Sequence, residues 1–204
     1  PMWVGYFKQA GIEQVPENGF GATPLTKYRR HVLMLHPHTV IVYDELEASE
    51  VVRWEWLLHS PTEFKMDATK KTLSTNNKIK GWMAVTQLFG GHVFTLSQTD
   101  RFVVPPTITG TEYPNQWHLT ARVDGCSATR FLAIIQVGDE AVSIINRDGD
   151  TFNVGDWTIK AVLDASKAPE LTVSHRTEQA VFSYGTDNPA LNGNFYSRQY
   201  TGSS

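Results

Sequence analysis

The stretch RRHVLMLHPHTVIVYDELEASEVVRWEWLLHS, Arg29 to Ser60, decides the fold. Its apolar and β-branched residues alternate with polar ones or run in short solid blocks, broken at His36-Pro37-His38 and again over Glu47 to Val52, and closed by Ser60-Pro61. A period of two sends successive side chains to opposite faces of a sheet, whereas an amphipathic helix repeats its apolar positions every three or four residues. The pattern predicts strands over His31 to Leu35, Val40 to Leu46 and Arg53 to Leu58. Trp54, Trp56 and Leu58 share one face of the third strand, and Arg53, Glu55, Leu57 and His59 share the other. The tryptophan face is the expected core side, since each such ring buries on the order of 200 Å². Asp44 and Glu45, adjacent in the second strand, fall on opposite faces and so make no ready carboxylate pair for acid–base work. His36 and His38 flank a proline corner, where imidazoles most often do no more than hydrogen-bond at a solvated turn.

The same pattern continues outward. Further strands are expected at Trp82 to Leu88, His92 to Ser97, Gln116 to Val123, Arg130 to Val137, Ala141 to Ile145, Trp157 to Leu163, Leu171 to Ser174 and Gln179 to Ser183. Phe89-Gly90-Gly91, Val137-Gly138-Asp139-Glu140 and Arg147-Asp148-Gly149-Asp150 punctuate them, and the Asp-Gly and Gly-Gly pairs are expected to supply the positive φ that tight hairpins need. No segment reads as an amphipathic helix of about ten residues or more. Many short antiparallel strands joined by hairpins imply an all-β antiparallel sandwich or stack of sheets. One domain over 1–204 is expected, with 1–27 an irregular lead-in and 186–204 a tail rich in Asn, Gly, Ser and Tyr.

Composition narrows the function. Of 204 residues, 41% are hydrophobic and 19% charged, so the chain can bury a core and is not globally disordered. Eighteen Lys and Arg against 21 Asp and Glu give a formal net charge of -3, with no basic run longer than Arg29-Arg30 or Lys70-Lys71, which argues against nucleic acid as a partner. No apolar run reaches the roughly 20 residues of a membrane-spanning helix, and the start, PMWVGYFKQA, does not read as an export signal. A first residue of Pro rather than Met points to a processed product or a piece of a longer polypeptide. Cys126, the single cysteine, excludes an intrachain disulfide and a multi-cysteine metal site.

Few residues offer chemistry. There is no Gly-rich phosphate loop, no HExxH and no Gly-x-Ser-x-Gly. Arg101, Trp117 and His118 form a candidate carbohydrate-binding set: an indole stacks on the C–H face of a sugar, and the polar groups meet its hydroxyls or carboxylates. The competing reading puts Trp117 in the core and uses Arg101 to anchor a loop. His59, leaving its strand just before Ser60-Pro61, is a candidate metal ligand.

The Arg29–Ser60 stretch also resembles a pattern found in heparinase II/III-like polysaccharide lyases: a basic residue and apolar strand, a strand ending in Val-Tyr-Asp, then Trp-Leu-Leu-His, here reached at Trp56-Leu57-Leu58-His59. QTDRFVVPP, NQWHLTA and RFLAIIQVG resemble the continuation, so the likeness runs from Tyr28 to Gly138. The resemblance implies stacked antiparallel sheets that follow an N-terminal α/α toroid in a multidomain enzyme, cleaving uronic-acid-containing glycans by β-elimination. In the family, the catalytic groups lie mostly on the toroid, with a His from the start of the β region. No position of this chain matches them, so no catalytic residue is expected here, and the isolated chain is expected to be inactive. Some members also hold a structural zinc with His and Asp ligands, and the resemblance makes His59 one such ligand. Where relatives often read Asp-Ala-Thr ahead of the basic strand, this chain reads Gly21-Ala22-Thr23. No cofactor is therefore expected in this chain by itself, and zinc is a matter for a full-length parent. The implied partners are an acidic polysaccharide and the toroid of the same polypeptide, and the implied location is the periplasm or outside the cell. The rival from another class is a non-catalytic carbohydrate-binding sandwich, and a third is a purely structural or interaction domain.

Overall fold

A computed structural model describes residues 11, 23–67, 72–76, 83–101, 116–138, 145–177, 181–185, 190–191 and 194–195. The periodicity of the Arg29–Ser60 stretch produces a long hairpin. Strand β1 (Leu25–Leu35) pairs antiparallel with β2 (Thr39–Ser60) through the exposed His36-Pro37-His38 turn, whose His36–Pro37 bond is cis. After β3 (Lys65–Asp67), β4 (Thr72–Asn76), β5 (Met83–Gly90) and β6 (Thr95–Thr99), the chain forms β7 (Trp117–Gly138). The first sheet runs β1-β2-β7-β5-β4-β3, with β6 also pairing with β7. The second sheet is a meander of β8 (Asn146–Asp148), β9 (Thr151–Val154), β10 (Trp157–Ala161), β11 (Leu171–His175), β12 (Val181–Tyr184), β13 (Ala190–Leu191) and β14 (Asn194–Phe195). Every ladder is antiparallel, and the described residues contain no helix, so the all-β expectation holds.

Two pairs of expected strands turn out to be single long ones. Val40 to Leu46 and Arg53 to Leu58 are halves of β2, and Gln116 to Val123 and Arg130 to Val137 are halves of β7. The run Glu47 to Val52 reads as a break in sequence, yet the strand continues through it: Glu47 pairs with Ala128 and Val52 with Cys126, the β7 ladder skips Ala48 to Val51, and the register shifts between Glu47, Val52 and Trp54. Such shifts bend a strand without ending its pairing. Gly125, at φ 77°, supplies the matching irregularity in β7, and the Trp54 indole donates to the Cys126 carbonyl at 3.1 Å. β1 also begins earlier than expected, at Leu25, and β3, β4 and β8 are too short and polar to carry a legible period. Of the expected strand Ala141 to Ile145, only Ile145 lies within the described residues, and there it is not strand. Most of the lead-in and of the tail likewise lie outside them.

Alternation then builds two cores. From the first sheet, Leu35, Ile41, Tyr43, Phe89, Leu132 and Ile134 meet Phe152, Ile159, Leu163, Leu171, Val173 and Tyr184 of the second-sheet half of the chain. On the opposite face, the bend brings Trp54, Trp56 and Val123 against Leu88, Phe131 and Ala133. Burying a side chain the size of Phe131 or Leu132 contributes about 2 to 3 kcal/mol from lost water contact, and both are fully buried. A smaller cluster of Phe64, Leu73 and Leu119 closes the far end, where the Gln98 side chain both donates to and accepts from the Phe64 backbone at 3.0 Å.

Polar anchors complete the join between sheets. Buried Arg130 donates to the carbonyls of Val162, Asp164 and Lys167 at 3.1, 2.9 and 2.6 Å, and the Tyr43 hydroxyl donates to Val162 O at 2.8 Å. Gly91 lets the β5–β6 connection approach the Leu163 carbonyl, a space that any Cβ would occupy.

Candidate functional site

Asp44 and Glu45 do face opposite ways, and each is almost wholly buried, with 1% of the side chain exposed. On the face away from the second sheet, Arg30 clamps Asp44 with two bonds, of 2.6 and 2.8 Å, while its guanidinium lies 5.7 Å from the centre of the Tyr28 ring. A planar fork on a carboxylate is the strong form of an ion pair. On the face toward the second sheet, Lys27 donates to Glu45 Oε2 at 2.7 Å and His31 Nε2 stands 3.6 Å from Glu45 Oε1. The His31 ring lies 4.1 Å, centre to centre, from Tyr184, whose hydroxyl also takes a bond from Arg29. Burial pushes the Glu45 carboxyl up, but the adjacent His31, Lys27 and Tyr184 groups more than reverse that and bring it down to about 2. Burial also raises Tyr184, and so does Glu45 beside it.

This group has the residue types of an acid–base site but not the access. Tyr184 is 3% exposed and Glu45 is shut away, so no sugar ring fits between them, and what they do is fasten β1 and β2 to β12. The cluster is not legible in the sequence, since His31 and Tyr184 sit far apart in the chain and meet only when the sheets stack.

The residues singled out in the sequence gather at the other end of the long strands. His59 of β2 and His118 of β7 are direct cross-strand partners, with ring centres 4.4 Å apart and planes inclined by 35°. Thr99 of β6 pairs with His118 from the other side, and its hydroxyl accepts a bond from the Arg101 amide at 3.1 Å. His59, Thr99 and Arg101 are exposed, and His118 is half-buried. Trp117 faces the other way, as the residue next to His118 in a strand must. It is half-buried and packs against the cluster of Phe64, Leu73 and Leu119. The structure thus joins His59 to His118, places Arg101 just beyond their neighbour Thr99, and puts the Trp117 ring on the opposite face.

As a metal site the arrangement is incomplete. A structural zinc takes four ligands, and among the described residues no three His, Cys, Asp or Glu side chains come together to hold a metal ion. His59 and His118 supply two imidazoles, and Gly21 lies outside the described residues. A cleft of about 560 Å³ elsewhere among the described residues is lined by Met66, Gly90, Gly91, His92, Phe94 and Leu96, and His92 there is tied to Thr129 at 3.2 Å. No helix among the described residues is long and apolar enough to cross a membrane.

Against this geometry, comparison with solved structures finds heparinase III. A heparinase III gene product superposes with a TM-score of 0.51 at 16% identity, over 78% of this chain and 23% of that one. Its form with methylated lysines gives 0.50 at 16% identity, over 80% and 24%. The chain therefore has the fold of a portion of heparinase III and spans about a quarter of that protein's length. No family model matches the chain, and no curated protein sequence does.

Proposed function

We propose that this chain is the C-terminal β-sandwich supporting domain of a heparinase II/III-like polysaccharide lyase that cleaves uronic-acid-containing glycans by β-elimination. The observation that carries the reading is the superposition on heparinase III over more than three quarters of this chain, with the matched portion confined to a quarter of the larger protein. The Arg29–Ser60 resemblance points the same way independently of the coordinates.

Elimination needs three jobs done: neutralising the uronate carboxylate, removing the C5 proton, and protonating the departing glycosidic oxygen. In this chain the one Tyr-His-Glu-Lys grouping among the described residues is closed by burial, which fits a supporting role. His59, His118 and Arg101 are the part of the chain that meets the glycan in this reading, because imidazole and guanidinium groups bind hydroxyls and carboxylates, His59 and His118 pair across the β2–β7 strand end, and Arg101 follows the neighbouring β6, with His59 and Arg101 exposed. The catalytic groups belong to a preceding helical toroid, and the parent enzyme works in the periplasm or outside the cell. Deleting residues 23–204 from the parent polypeptide tests the supporting role: release of unsaturated uronate products should fall more than about tenfold, a barrier rise of about 1.4 kcal/mol. A deleted parent that keeps full activity overturns it.

A further inference from the structure

We draw no further inference here: the strongest candidate, the apolar stripe of Tyr28, Val32 and Met34 left exposed on the face of β1 that points away from the second sheet, is an unpartnered surface, and nothing in the structure shows what covers it.

Discussion

Asp44 and Glu45 are neighbours in the chain and serve opposite faces of one sheet, each with its own cation. Removing the cation from a buried pair is costlier than removing both charges, because the stranded carboxylate has lost water without regaining a partner. Arg30→Met should therefore cost about 3 kcal/mol, the low end of the range for broken buried pairs, since Arg30 itself is partly exposed. Adding Asp44→Asn should recover part of that loss, and urea titration of the single and double variants checks it. Glu45 contributes to the acid limb of stability. Its folded value, about 2, lies below the roughly 4.3 of an unfolded glutamate. Its contribution is therefore complete above that value and lost as pH falls toward 2. Thermal melts between pH 5 and 2 should show a steeper decline for the wild-type chain than for Glu45→Gln, and parallel declines would contradict the assignment. Sequence alternation told correctly that the two carboxylates part company. It could not name Arg30, Lys27, His31 or Tyr184 as their surroundings, because those contacts depend on strand register and sheet stacking.

At the scale of elements, the legible signal was the period-two run, and its limit was where one strand stops. Glu47 to Val52 looks like a loop because Glu47, Ser49 and Glu50 break the alternation, but it remains strand: the ladder with β7 lapses from Ala48 to Val51 and resumes at Val52 in a shifted register. Alternation puts Trp54 and Trp56 on a core face, and the core they enter is a fold of the sheet upon itself. The Phe89-Gly90-Gly91 turn was legible as a connection, but the reason for its second glycine was not. Gly91 meets the backbone of Leu163, a residue far along the chain. Gly91→Ala should cost at least about 2 kcal/mol, in the range of a clash in a packed interior. Gly185→Ala, with open space around its Cβ, should stay within about 0.5 kcal/mol of wild type. Equal denaturation midpoints for the two variants would show that the close approach carries no energy.

For the whole molecule, the two sheets share one core and the three carbonyl bonds of Arg130. The sandwich could be read from strand count and turn chemistry, and the heparinase likeness from one long hairpin. The strand-end group was legible only in part. His59 and His118 stand out in the sequence for separate reasons, but their pairing follows from the β2–β7 register, and the inward turn of Trp117 follows from its place next to His118. The central claim is that this sandwich supports elimination chemistry carried by other parts of a larger enzyme. The direct measurement is ultraviolet absorbance of unsaturated uronates when the 204-residue chain and its parent polypeptide are each incubated with acidic glycans. The account predicts product from the parent and no rise above the glycan blank from the chain alone, while a steady rise from the chain alone would contradict it.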